Sequence, residues 1–117
     1  MGEPRRGGTD LKSSSHYVIV WEFRVRLDRE KEFVEKYGPE GDWATFFRGS
    51  QAYIRTELVQ DVTDRRRFLT LDYWQSQSEF KRFREQNRAE YERLDKEFEK
   101  LRETETRLGS FWLGIRS

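Results

Sequence analysis

The stretch from Arg67 to Phe83, RFLTLDYWQSQSEFKRF, reads as a strand running straight into a helix. A pleated strand sends alternate side chains to opposite faces. Phe68, Thr70, Asp72 and Trp74 therefore share one face, and Leu69, Leu71 and Tyr73 share the other. Ser76 and Ser78 offer helix caps, and Phe80 and Phe83 open a helical stripe. The Leu69/Leu71/Tyr73 face is the more apolar, which predicts that it packs on the helices. The face that mixes an acid, a hydroxyl and an indole is then expected to line a polar chamber.

Working outward, the residues before this stretch alternate in the same way. From about His16 to Arg26, Tyr17, Ile19, Trp21, Phe23 and Val25 share a face, and Val18, Val20, Glu22, Arg24 and Arg26 share the other. Both faces are apolar at the start, as in a strand covered on two sides. Asp28 is placed to cap a first helix that carries Phe33 and Tyr37, and Gly38-Pro39 ends it. A short helical turn follows from Trp43 to Phe47. A second strand is predicted over Ala52–Gln60, with Ile54, Thr56 and Leu58 on one side and Tyr53, Arg55, Glu57 and Val59 on the other. The turn Asp61–Arg66 then makes strands two and three an antiparallel pair. Beyond Ser78, the residues Phe80, Phe83, Asn87, Tyr91, Leu94, Phe98 and Leu101 mark an amphipathic helix expected to reach about Arg107, with a kink near Asn87. Gly109 is expected to end it before a last short strand over Ser110–Ile115.

Composition narrows the function classes. A chain of 117 residues makes one domain with a single core, here residues 16–117, behind a Gly- and Ser-rich stretch at 1–15 that reads as a disordered tail. Its 23 basic and 22 acidic residues leave no cationic excess for nucleic acid. The chain has no cysteine, which excludes thiolate metal sites, and its single His lacks partners at ligand spacing. No apolar run approaches the ~20 residues of a membrane span, and the first residues lack a secretory h-region, so a cytoplasmic protein is expected. No dinucleotide-type Gly-rich loop is present, and the expected cofactor is none. Eighteen aromatic residues must supply much of the burial, since each ring covers ~150–250 Å².

The predicted order, strand-helix-strand-strand-helix-strand, is the ferredoxin-like βαββαβ plan of an α+β fold with a four-stranded antiparallel sheet. The local motifs go further: YGPEGDWATFF at 37–47, LTLDYWQS at 69–76, F-x-x-F at 80–83, Y-x-x-L at 91–94 and ETRLGSF at 105–111. Together, over roughly residues 17–113, these resemble the antibiotic-biosynthesis-monooxygenase family of the dimeric α/β-barrel superfamily. The resemblance implies a homodimer in which two sheets close an α+β barrel. It also implies a small-molecule pocket and an activity that ranges from cofactor-independent oxygenation of aromatics to none known. Haem-degrading members pair a pocket Trp, matched here by Trp74, with an Asn on strand one and a His on the next helix. This chain has only Asn87 and His16, and Arg84 stands near the place of the axial His.

By the same analogy Glu22, Arg24, Thr70, Asp72 and Trp74 are expected to point into the barrel, with Arg55 and Glu57 added from strand two. Buried charges must pair with one another, across a dimer, or with a ligand. Asp72 and Glu22 are the candidate bases, and Arg24, Arg55, Thr70 and the Trp74 N–H are the candidate binding groups and oxyanion donors. The alternatives are a structural ion-pair network for the charges and plain packing for Trp74. For the whole protein, the candidates are a cofactor-independent monooxygenase of a small polycyclic or enolisable aromatic and a non-catalytic or regulatory ligand-binding dimer. Trp43, Phe46 and Phe47 form an aromatic cluster read as packing of the short helix or a gate, and Tyr37 and Tyr91 as core or pocket edge.

Overall fold

The sheet is built in the order β2-β3-β1-β4, every pairing antiparallel, from strands His16–Val25 (β1), Tyr53–Gln60 (β2), Arg67–Trp74 (β3) and Arg102–Leu113 (β4). In this computed structural model residues 16–114 are described; the expected tail at 1–15 and the end of the last strand at Ile115 lie outside the described residues. Four helices cover one face of the sheet: Glu30–Tyr37 (α1), Asp42–Phe47 (α2), Gln77–Gln86 (α3) and Arg88–Phe98 (α4), with a single 3-10 turn at Glu99–Leu101. This is the ferredoxin-like α+β plan, with β1 and β3 as the central pair.

The core between helices and sheet is largely aromatic. Phe23 on β1 meets Phe33 and Tyr37 of α1 at ring-centroid distances of 5.3 and 5.0 Å. Trp74, fully buried at the end of β3, packs on Phe47, Phe80 and Phe83 at 5.1 to 5.6 Å. Edge-to-face contacts of this kind are favourable beyond the area they bury. Ser76 caps α3 by accepting from the Glu79 N–H at 3.2 Å.

Several expectations are corrected. On β1 the inward face is the expected one, Tyr17, Ile19, Phe23 and Val25. On β3 the alternation holds but the face is reversed. Trp74, Asp72, Thr70 and Phe68 stand opposite Tyr17, Ile19, Trp21 and Phe23, and so share the helix side. Leu69, Leu71 and Tyr73 stand opposite Glu22, Val20 and Val18 on the uncovered side. Two large rings at the ends of the run, Phe68 and Trp74, outweigh two leucines in what the helices can bury. Asp72 and Arg24 consequently lie on opposite faces and do not meet.

The long helix is also shorter than expected. It breaks at Asn87, whose side-chain amide donates to the Phe83 carbonyl at 2.9 Å, and it stops at Phe98. Residues 102–107 are strand, not helix. Thr104 and Thr106 alternate with Glu103, Glu105 and Arg107, and branched threonines suit a pleat better than a helix. Gly109 sits inside β4 at φ 155, beside a register shift opposite Val20 and Trp21, rather than at a helix end. Asp28 does not cap α1; Arg29 holds the N-cap position without a side-chain bond.

Phe98 and Leu101 are almost wholly buried, whereas Lys96 is exposed. Phe98→Ala and Leu101→Ala are expected to destabilise by roughly 2–5 kcal/mol each in denaturant melts, and Lys96→Ala by less than about 0.5. Equal effects would contradict this packing.

Candidate active site

The helix-covered face does not fill completely. A cavity of about 180 Å³ remains between sheet and helices, walled by Trp21, Phe23, Phe47 and Tyr91, with Thr70 and Asp72 on its β3 side. Among the described residues Asp72 is the one fully buried carboxylate, and burial pushes its pKa from the ordinary 3.8 up to about 6. The Thr56 hydroxyl, donating to Asp72 Oδ1 at 2.7 Å, works against that rise.

A second group of polar residues joins the cavity from α1, α4 and β4. Arg102 lies between Asp95 (3.1 Å) and Glu105 (2.9 Å) and donates to the Tyr37 hydroxyl at 3.1 Å. Burial raises the Glu105 carboxyl, with Arg102 opposing. Because the Tyr37 oxygen accepts from Arg102, its own proton is free to donate. Burial holds that proton firmly, taking the Tyr37 pKa to about 12, and Tyr91 likewise to about 12. Trp43 Nε1 is buried and interacts with the Tyr37 hydroxyl only outside hydrogen-bond geometry. The aromatic lining thus includes, besides the Arg102-paired carboxylates Asp95 and Glu105, the acceptor Asp72 and the donor groups of Tyr37 and Trp43.

The sequence-predicted residues divide between the two faces. Thr70 and Asp72 line the cavity, and Trp74 is packed in the same core, its N–H buried without a hydrogen-bond partner. Glu22, Arg24 and Arg55 lie on the uncovered face. Glu22 accepts from Arg67, which also bonds Asp61 at 2.9 Å, and Arg24 pairs with Asp64 at 2.8 Å. Arg55 stacks over the Tyr73 ring at 3.9 Å and pairs with Glu57, which accepts from the Tyr73 hydroxyl at 2.8 Å. These partly exposed charges are satisfied by Arg67, Asp64 and Glu57 rather than by Asp72 or by one another. Trp43 and Phe47 serve both packing and cavity lining, while Phe46 packs against Phe83. Thr56, Arg84, Asp95 and Glu105 went unforeseen as lining residues. Thr56 was within reach, because it alternates with Leu58 on the side that proves to be inward. Glu105 is hidden when 102–107 is read as helix, whereas Asp95 lies on α4, where helix is expected, and no spacing marks it as a lining residue.

Among solved structures, SnoaB, a cofactor-independent oxygenase from Streptomyces nogalater, superposes with a TM-score of 0.67 at 17% identity, over 87% of this chain and 94% of that one. The fold is that of the antibiotic-biosynthesis-monooxygenase-like proteins. A candidate antibiotic biosynthesis monooxygenase from Nitrosomonas europaea matches at 0.59 and 16% identity, over 86% and 89% of the two chains. A conserved protein from Methanosarcina mazei Go1 matches at 0.64 and 10%, over 92% and 99%. No protein-family model and no curated protein matches the sequence. At these identities the likeness is one of fold. Among the described residues no helix is long and apolar enough to cross a membrane.

Asp72 has a stability signature. Its folded pKa lies above the ordinary value, so the native state holds the proton more tightly than the unfolded chain does. Its contribution is greatest below about pH 4, falls as pH rises toward about 6, and is level above that. The rise from 3.8 to about 6 corresponds to roughly 3 kcal/mol. Asp72→Asn, which removes the buried charge, is therefore expected to raise stability at pH 7.5 by the order of 1–3 kcal/mol and to lose the Asp72 slope between pH 4 and 6, which then appears in the difference between wild type and variant. An unchanged or lower melting temperature at pH 7.5 would count against a strained carboxylate here.

Proposed function

We propose that this chain is a cofactor-independent monooxygenase of a small enolisable aromatic, with Asp72 as its general base. The observation that carries the reading is a buried carboxylate with no ion-pair partner, Asp72, its pKa raised by burial to about 6, on the wall of an aromatic cavity that also offers hydrogen-bond donors. A carboxylate tuned toward neutrality is poised to take a C–H proton and to give it back. In the proposed reaction, Asp72 removes a proton from an activated CH₂ group, leaving a carbanion delocalised onto the substrate's carbonyl oxygen. The Tyr37 hydroxyl and Trp43 N–H are the proposed donors to that oxygen, held in place before charge develops. The carbanion passes one electron to dioxygen, and the two radicals join in a new C–O bond. The peroxide takes the proton from Asp72 and then expels water, so that CH₂ and O₂ become C=O and H₂O. Thr70 is assigned to substrate contact and Trp74 to the wall that keeps the base dry.

The cavity's size narrows the substrate. Pockets for drug-sized ligands run to ~300–1,000 Å³, and an apolar cavity of ~150 Å³ takes benzene. At about 180 Å³ this one suits one or two fused rings better than three.

The second sheet face supports a homodimer. Among the described residues no helix covers Val20, Leu69 and Leu71, and Val59 and Phe111 beside them are about half exposed. An apolar area of that kind marks an association surface. Glu22, Arg24 and Arg55 are then proposed to rim the interface rather than to act on substrate.

Oxygen uptake with 2-tetralone (two rings) and anthrone (three rings) tests the chemistry. Uptake is expected with 2-tetralone above the spontaneous rate, and Asp72→Asn is expected to lower it at least a hundredfold while Glu22→Gln leaves it within about threefold. Binding of 2-tetralone without oxygen uptake would assign the cavity to ligand binding alone. Sedimentation equilibrium at micromolar concentration is expected to show a dimer, and a monomer would end the interface proposal.

A further inference from the structure

Asp72 is buried, so a proton it takes from a substrate needs a way out once that substrate closes the cavity. β2 carries one. Thr56 Oγ1 lies 2.7 Å from Asp72 Oδ1, and the Tyr53 hydroxyl lies 2.7 Å from the same Thr56 oxygen. A threonine hydroxyl has a single proton, and here it is given to Asp72. The Tyr53 O–H must therefore be the donor to Thr56, and the row runs in one direction: Tyr53 to Thr56 to Asp72. Tyr53 is partly exposed and begins the edge strand of the sheet.

The row exists only because of a bulge. Residues three apart on a regular strand face opposite ways. Tyr53 stands opposite Trp74 and Arg55 opposite Tyr73, which leaves Ile54 as an extra residue and turns Tyr53 and Thr56 to the same side. Bulges re-aim side chains in this way, often beside active sites. Packing fixes the Tyr53 ring against Phe47 and Trp74, at 5.7 and 5.5 Å.

We infer that Thr56 and Tyr53 are a proton conduit between the buried carboxylate and solvent. When Asp72 is protonated the row reverses: Asp72 gives its proton to Thr56, Thr56 passes its own to Tyr53, and Tyr53 releases one to water. Three O–H bonds break and three form, one proton leaves, no heavy atom moves far and neither hydroxyl has to ionise fully. Thr56 and Tyr53 are positioning residues, acting through Asp72. Their use in turnover rests on the reading of Asp72 as the base, but the conduit itself does not.

The test is proton exchange at Asp72, read from its ¹³Cγ line in the aspartate-labelled 117-residue chain through the titration. The wild type is expected to show one sharp, averaged line. Tyr53→Phe keeps the ring and the Thr56–Asp72 bond, and is expected to slow exchange at least tenfold, broadening the line at the midpoint with the midpoint nearly unmoved. Thr56→Val should broaden it too, and Thr56→Ser should restore the sharp line. Wild-type line widths in both Tyr53→Phe and Thr56→Val would overturn the conduit. A second arm follows deuterium entering C1 of 2-tetralone in D₂O without oxygen, where Tyr53→Phe should reduce wash-in at least tenfold by favouring return of the original proton. Equal wash-in would likewise overturn the conduit. If the wild type exchanges no 2-tetralone while the line-width effect holds, the oxygenase reading falls and the conduit stands.

Discussion

The register of β1 against β3 is the constraint from which the rest follows. Ile19 stands opposite Asp72 and Tyr17 opposite Trp74, so the acid and the indole go to whichever face Ile19 and Tyr17 take. A slip of one residue would exchange every side chain of β3 between faces. In the observed register Trp74 joins Phe47, Phe80 and Phe83 beneath the helices, and the burial of so large a ring carries Asp72 inward with it. Transfer of one ionised carboxylate out of water is unfavourable by several kcal/mol unless it is bonded or protonated. Here one hydroxyl, that of Thr56, and a raised pKa share that role.

Rings also make the cavity. Phe23, Tyr37, Trp43, Phe47 and Tyr91 meet mostly edge-to-face or tilted, and flat rigid groups at such angles leave gaps that branched aliphatic chains would close. The resulting space is apolar on the ring side and polar at Asp72 and at the Arg102 cluster. Those ends have different roles in the architecture. Arg102 is surrounded by Asp95, Glu105 and Tyr37, a set whose charges answer one another and tie α1 and α4 to β4. Asp72 has no cation beside it, which leaves its proton affinity to be set by burial and one hydrogen bond. The charges of the uncovered face, Glu22 with Arg67 and Arg24 with Asp64, are balanced in the same way as the Arg102 cluster.

Element order, strand pairing and the helix caps at Ser76 were readable because they rest on local pattern: alternation, capping chemistry and a Gly-Pro stop. The break at Asn87 was readable too, since the apolar stripe thins there. The stretch 102–107 was misread because Glu103 and Arg107 satisfy helical i, i+4 spacing as well as they satisfy a strand, and only pairing with β1 decides between the two. The site was half legible. Asp72 and Thr70 stood out as polar residues in an apolar run, but their partners come from β2, α1, α4 and β4, and no spacing rule links them.

Alone, the sequence determined the α+β class, the βαββαβ order, the alternation of β1 and β3, and the presence of an acid and a tryptophan on one face of β3. Periodicity says which residues share a face; it does not say which face meets the helices. That choice belonged to the tertiary structure, because it depends on the total area each face can bury against elements far away in the chain. The same holds for Tyr53 and Thr56. Their alignment depends on the extra residue Ile54, and a bulge is defined only by the strand it faces.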